Sequence, residues 1–218
     1  MSVSRSSLIA LAYVLLSPLV SSSAPQPQFV PEEVLVKFRP NTKGDRVIAK
    51  AGQVTPVNLK ILAPVVRHLS TETGIPLKTK QLQSGDWVLL SVDAEELSSV
   101  LVKRLCGTRS IAEARKNTRP RAKSVGFTPP EVLIRFKQGT PESKAVARRF
   151  KQSSDAGFSD VVRQLQTELG LPLRGEVVGE DQASVWTDPQ KLTLALVERL
   201  KASQDVEAAQ PNYVLKLR

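Results

Sequence analysis

Few side chains in this sequence could carry out covalent chemistry. The 218 residues include one histidine, His68, and one cysteine, Cys106. A single imidazole excludes motifs that need two, and a single cysteine excludes an internal disulfide framework and a multi-cysteine zinc site. His68 lies in a stretch with helical spacing and has no Gly-x-Ser-x-Gly nucleophile turn nearby. We therefore predict a binding protein that is not an enzyme and uses no cofactor or metal.

The elements that would position a binding site occur twice. FVPEEVLVKF at 29–38 corresponds to FTPPEVLIRF at 127–136, ETGIPLK at 72–78 to ELGLPLR at 168–174, and LVKRL at 101–105 to LVERL at 196–200. A unit of about 90 residues is too long for a solenoid repeat and can bury its own core. We predict two tandem domains, 29–117 and 127–218. The basic segment 118–126 is a linker or, alternatively, extends the last strand of the first domain.

Hydrophobic spacing predicts the same order of elements in each repeat. Val34, Val36 and Phe38 have the period of a half-buried strand, and Thr140-Pro141-Glu142 is typical of a helix start. Further strands are expected at 77–82, 87–92 and 110–117, and at 173–178, 183–187 and 206–217. Helices precede and follow the middle pair of strands. The predicted fold is α+β, with tandem ferredoxin-like (β-α-β-β-α-β) domains and antiparallel sheets.

The N-terminus has the features of an export signal. Arg5 precedes the apolar run Leu8–Leu16, and small residues follow at 21–24. This order predicts a signal peptide over 1–23, hence a secreted or periplasmic protein with no stable membrane span after cleavage. The alternative is an uncleaved N-terminal anchor.

The end of the second repeat carries a resemblance to a known family. Asp205–Val214 reads DVEAAQPNYV, which resembles the ending of the propeptides of subtilisin-type serine proteases. The openings EVLVKFRP at 33–40 and EVLIRFK at 131–137 are similar to the first strand of those propeptides. The first repeat departs from the pattern, with Lys116 in place of the proline and no tyrosine. The resemblance implies a propeptide-like peptidase inhibitor in two copies, without a catalytic domain, which inhibits a subtilisin-type protease or assists its folding.

The resemblance also implies which residues contact the protease. The C-terminal tail would lie in the active-site cleft by strand addition. Its residues are Pro211, Asn212, Tyr213, Val214, Leu215, Lys216, Leu217 and Arg218. The alternative is that these residues only finish an edge strand. Acids between the second and third strands would cap helices on the protease surface: Glu180 and Asp181, or Asp86 in the first repeat. Their alternative role is that of solvated turn residues.

The charge distribution suggests a further contact and a further function. Residues 24–123 hold 17 basic and 9 acidic side chains, whereas 124–218 hold 13 and 12. The basic first domain could contact an anionic surface. No RNA-binding signature occurs, and Trp87 does not align with Trp186, so we expect no nucleic-acid partner. The alternative function is a non-inhibitory structural or adaptor pair that binds an envelope or extracellular partner.

Overall fold

The computed structural model describes residues 28–51, 59–84, 86–117, 131–152 and 157–214. The predicted signal peptide, the predicted linker and the tail residues Leu215, Lys216, Leu217 and Arg218 lie outside these ranges. No helix in the described ranges is long and apolar enough to cross a membrane.

The described chain is α+β, with antiparallel sheets and helices as predicted. The strands are β1 (Phe29–Phe38), β2 (Leu77–Leu82), β3 (Trp87–Val92), β4 (Ile111–Lys116), β5 (Glu131–Phe136), β6 (Leu173–Val177), β7 (Gln182–Thr187) and β8 (Val206–Tyr213). The helices are α1 (Lys43–Ala51), α2 (Ala63–Thr73), α3 (Ala94–Cys106), α4 (Pro141–Gln152), α5 (Phe158–Leu169) and α6 (Pro189–Ala202), with a short 3-10 helix (Leu59–Leu62) before α2.

Local sequence explains where these elements begin. Val34 and Val36 alternate with the half-buried Leu35, which confirms the period-2 prediction for β1. Asp93 caps α3, because its carboxylate accepts hydrogen bonds from the backbone N–H groups of Glu95 and Glu96 at 3.1 and 3.2 Å. Asp188 caps α6 in the same way through Lys191 at 3.2 Å.

The helical region between the first two strands of each repeat contains two helices. In the second repeat, α4 begins at Pro141 as predicted, and the hydroxyl of Thr140 accepts a hydrogen bond from the Ser143 N–H at 3.2 Å. α5 begins after Gly157, whose φ of 93° is a left-handed conformation that favours glycine. The α5 stripe of Val161, Val162, Leu165 and Leu169 is buried, as its spacing predicted.

The last strands of the two repeats are exchanged. Sheet 1 has the order β2-β3-β1-β8, and sheet 2 has the order β4-β5-β7-β6. β8, from the end of the second repeat, pairs antiparallel with β1, and β4, from the end of the first, pairs antiparallel with β5. Each sheet thus combines three strands of one repeat with the last strand of the other.

The helix before each exchanged strand packs on the same sheet as that strand. α6 packs on β1 and β8 of sheet 1, whereas α3 packs on β4 and β5 of sheet 2. The buried face of α6 includes Leu192, Leu196 and Leu200, each without exposed surface. Burying each such leucine contributes roughly 1.5–3 kcal/mol. The exchanged unit is therefore a complete helix-strand segment, held by a large apolar interface.

This topology differs from the expectation that 29–117 and 127–218 would each build its own sheet. Only one residue, Asp93 or Asp188, lies between the third strand of a repeat and its following helix. Because that residue also caps the helix, the connection leaves the helix little freedom to change its direction relative to the preceding strand. Within the described ranges, neither repeat completes the β-α-β-β-α-β arrangement alone.

Two arginines at equivalent positions join the two halves. Arg104 of α3 donates to the carbonyls of Leu169 at 3.1 Å and Gly74 at 3.3 Å. Arg199 of α6 donates to the carbonyl of Thr73 at 2.5 Å and also to that of Gly170. Each guanidinium therefore spans the carboxyl ends of α2 and α5, where cations are favoured. Burial and the neighbouring Arg104 lower the pKa of Arg199 from its ordinary value.

The exchange predicts how the second repeat behaves alone. We expect the fragment 127–218 to have no cooperative unfolding transition as a monomer, because it lacks β4 and α3 of sheet 2 and the three strands that receive β8. Circular dichroism melts combined with light scattering would check this, with residues 24–218 as the control. A monomeric fragment that unfolds cooperatively would contradict the exchanged topology.

Candidate functional site

The end of β8 is formed by Pro211-Asn212-Tyr213, which we call the PNY motif. Pro211 is buried opposite Val34, in an outer strand where a missing N–H is tolerated. The Tyr213 ring meets the Phe29 ring edge-on, with centroids 6.3 Å apart. The Val214 N–H donates to the Gln28 carbonyl at 2.9 Å, so backbone pairing continues beyond the strand. These contacts fix the position of the end of β8 and of Val214, the last described residue, at the edge of sheet 1.

Asn212 holds this strand end to the centre of the sheet. Its side-chain amide donates to the Glu33 carboxylate at 2.7 Å. The other oxygen of Glu33 is ion-paired with Lys80 of β2. The Glu33 side chain is only 11% exposed, and both of its oxygens are occupied. The Asn212–Glu33–Lys80 network therefore connects β8, β1 and β2, and the burial of Glu33 strengthens its two contacts although the Lys80 side chain is 51% exposed.

Glu32, beside this network, is strained and buried. It lies in an irregular stretch of β1 between Phe29 and Val34, with a φ of 64°. Its side chain is buried, and Oε1 has no hydrogen-bond partner among the described residues. Its backbone N–H donates to the Thr193 hydroxyl of α6 at 2.6 Å. Burial raises the pKa of Glu32 to about 8, and the nearby Lys78 lowers it by a smaller amount.

Sequence reasoning missed Glu32, Glu33 and Lys80. The available signal was the pair of adjacent acids, Glu32-Glu33, inside a predicted strand. Successive strand residues point to opposite faces, so two consecutive acids place one carboxyl towards the helical core unless the strand is irregular. β1 is irregular at Glu32, but the Glu32 side chain is still buried, so the irregularity does not remove this conflict.

The predicted acidic residues lie on two different sheets. Asp86 is exposed in the β2–β3 turn of sheet 1, with a φ of 64°. Glu180 and Asp181 lie in the β6–β7 turn of sheet 2. Glu180 is 3.3 Å from Lys151 in an exposed ion pair, and the Asp181 carbonyl accepts a hydrogen bond from Phe136 N–H. The exchange therefore places Asp86, and not Glu180 or Asp181, on the sheet that carries the PNY strand.

The face of sheet 1 opposite the core has an apolar centre. Leu35 lies between Leu89 and Gln210 across the strands, on the side opposite the core residues Val34 and Val36. An ion pair of 2.9 Å between Lys37 and Glu207 lies on the same side. We call this surface the open face of sheet 1. Leu35 is half-buried and Leu89 is only 6% exposed, so the apolar surface that this face offers to a protein partner is small.

His68 belongs to a polar cluster that differs from a catalytic triad. Its Nε2 lies 3.5 Å from Glu72 and 3.7 Å from Asp205. The Ser203 hydroxyl donates to Glu72 at 2.7 Å, so the serine is bonded to a carboxylate rather than to the imidazole. The cluster connects α2 to the turn between α6 and β8. This position suits a role in holding the segment α6–β8 against α2. Cys106 is exposed at the end of α3, far from this cluster in the chain.

Comparison with known proteins gives no assignment. No protein-family model matches the sequence, and a search of curated proteins returns no match. Among the described residues, no group of three or more His, Cys, Asp or Glu side chains could hold a metal ion.

The burial of Glu32 predicts a pH dependence of stability. In the unfolded chain this carboxyl ionises near its ordinary pKa of 4.5, whereas in the fold it retains its proton up to about 8. The unfolded state therefore releases a proton that the folded state keeps. Its contribution to the free energy of unfolding is fully present below pH 4.5, falls as pH rises to about 8, and then stays constant. The total loss should be a few kcal/mol.

Substitution with glutamine tests this assignment. Glu32→Gln keeps the shape and removes the ionisation, so the stability of the variant relative to the wild type should increase steadily between pH 4.5 and 8. Urea unfolding at several pH values measures this difference, and any constant offset from the amide cancels. Parallel stability curves for the two proteins would show that Glu32 ionises normally in the fold.

Proposed function

We propose that this protein binds and inhibits a subtilisin-type serine protease, or assists its folding, with sheet 1 as the binding domain. The support is the resemblance of both repeats to propeptides of that family together with the position of the PNY strand. The observation that carries the proposal is the pairing of β8 with β1, which makes β8 an outer strand of sheet 1 that ends with Val214 beside Gln28.

The site combines three parts of sheet 1. The open face around Leu35 docks on the protease, and the segment after Val214 lies in the active-site cleft as an added strand. Asp86 reaches the protease at the other end of the sheet, because the β2–β3 turn adjoins Lys37 whereas β8 ends beside Phe29. At about 3.4 Å per residue, the eight residues of β8 separate these ends by roughly 25 Å.

Sheet 2 differs from sheet 1 in the part that matters for inhibition. Its outer strand β4 occupies the place that β8 has in sheet 1, but the chain continues from β4 into β5 of the same sheet. A segment after β4 must therefore return to sheet 2. We assign the cleft-binding tail to sheet 1 alone.

A second candidate function, an adaptor that binds an envelope or extracellular partner, rests on sheet 2. The face that carries Leu133 between Arg115 and Ser184 also carries an ion pair of 3.0 Å between Arg135 and Glu113. It offers a binding surface that has no tail. Under this reading the protein connects partners without blocking an active site.

Deletion of the tail distinguishes protease inhibition from the adaptor function. We expect a protein that lacks Leu215–Arg218 to inhibit subtilisin-type proteases at least about tenfold more weakly, because strand addition in the cleft is lost. Its melting temperature should match that of the full chain, since the deletion leaves Tyr213 and Asn212 in place. The measurements are inhibition constants against a protease panel and thermal melts. Unchanged inhibition, or an equal loss through instability, would contradict a role for the tail in the cleft.

A matched pair of acid substitutions tests which sheet docks. Asp86→Asn should weaken inhibition about two- to fivefold, the usual effect of a charge at a helix N-terminus, whereas Asp181→Asn should leave it unchanged. Asparagine tolerates the left-handed backbone at position 86, so the turn is preserved. A larger effect of Asp181→Asn would place the protease on sheet 2.

A further inference from the structure

A basic groove lies between α5 and the outer strand β6 of sheet 2. Its volume is about 510 Å³, within the range of ligand-binding clefts. Trp186 of β7 supplies half-buried apolar surface, and the buried side chains of Phe158 and Val162 of α5 lie at the base of the groove. Arg149, Arg163 and Arg174 also line it. The groove thus combines an apolar wall with three guanidinium groups from three different elements.

The titratable side chains among the described residues that line the groove are the three arginines. Two of them pair with carboxylates outside the lining, and Arg149 also has an interaction partner. Arg163 pairs with Asp160 at 2.9 Å, but both side chains are more than 70% exposed, so this contact is weak and easily exchanged. Arg174 donates to the buried Asp188 carboxylate through two nitrogens, at 2.6 and 2.8 Å, and its own side chain remains 62% exposed. Each guanidinium has five N–H donors, which leaves capacity for a carboxylate ligand.

The same groove recurs in sheet 1. A cavity of about 440 Å³ between α2 and the outer strand β2 is lined by Lys60, Arg67 and Lys78. Arg67 and Lys78 are the repeat equivalents of Arg163 and Arg174. This groove also contains Glu96, so the groove of sheet 2 is the more cationic of the two. Recurrence at equivalent positions shows that the repeat architecture itself builds a basic groove beside each outer strand.

The backbone of β6 borders the groove. β6 pairs with β7 on one side only, so its other edge is available for pairing within the described part of the chain. Gln166 of α5 already donates to the edge carbonyl of Leu173 at 2.6 Å. At Gly175, a Cβ atom would lie 3.0 Å from Val162, so the strand and helix approach closely here. A groove between an outer strand and a helix suits an extended peptide that adds a strand to the sheet.

We propose that this groove binds an extended acidic peptide segment of another protein. Carboxylates of the peptide pair with Arg149, Arg163 and Arg174, its backbone pairs with β6, and an intervening apolar side chain packs on Phe158 and Trp186. A second copy of this chain is a poor occupant, because its net charge of +10 would repel a cationic groove. The site is distinct from the open face of sheet 1 and from the tail.

Binding of a model peptide to the full chain tests the proposal. The probe is a fluorescein-labelled, C-terminally amidated peptide of alternating Glu and Val, followed by fluorescence anisotropy at about 150 mM salt. The equivalent groove is disabled by Lys60→Gln and Arg67→Gln. In that background we expect saturable binding, which Arg149→Gln with Arg163→Gln weakens at least about tenfold.

Matched controls separate this site from its competitors. Lys144→Gln with Arg148→Gln removes the same charge from exposed positions of α4 and should change affinity less than about twofold. A peptide with N-methylated backbone, and one with Lys in place of Glu, should bind much more weakly. Absence of saturable binding, or equal losses with the control variant, would overturn the proposal. So would undiminished binding of the N-methylated peptide, or displacement by inorganic phosphate at constant ionic strength, which would indicate a small-anion site.

Discussion

The pairing of β8 with β1 is the interaction on which the rest of the structure depends. It completes sheet 1, carries α6 over the core of the first repeat, and brings Asn212 to Glu33 and Tyr213 to Phe29. The complementary pairing of β4 with β5 does the same for sheet 2. Because α3 and α6 precede β4 and β8 by only three or four residues and pack on the sheets that those strands join, neither pairing can change without moving a buried helix. The two sheets are therefore coupled through the path of the chain as well as through the arginine contacts of Arg104 and Arg199.

Much of the local structure could be predicted because it depends on neighbouring residues. The alternation at Val34 and Val36 and the helix start at Thr140 are both confirmed. The exchange could not be predicted in this way. The helix-strand segments of the two repeats have nearly the same buried positions, such as Leu105 and Leu200. Each sheet therefore offers an equivalent surface to either segment, and periodicity cannot say which one it receives.

The candidate site shows the same division between local and long-range information. The PNY motif was recognisable in sequence, whereas its partners Glu33 and Lys80 lie far from it in the chain and on the other repeat. Glu32 departs from the backbone preference of its residue type, because its φ is left-handed, and from the hydrophobic pattern of the strand, because its carboxyl is buried. Such departures concentrate at functional positions. Here the departure lies in the stretch of β1 beside the strand end that we propose to direct the tail.

The exchange also changes what the connection between the repeats means for the molecule. If each repeat were a separate domain, hydrolysis of one peptide bond between residues 117 and 131 would let the two halves diffuse apart. In this chain each half contributes an outer strand and a buried helix to the other. Hydrolysis there would turn these intramolecular contacts into an interface between two chains. Because that interface would be as large as a domain core, the two pieces would remain bound to each other. For a protein proposed to meet proteases, covalent continuity between the repeats is dispensable.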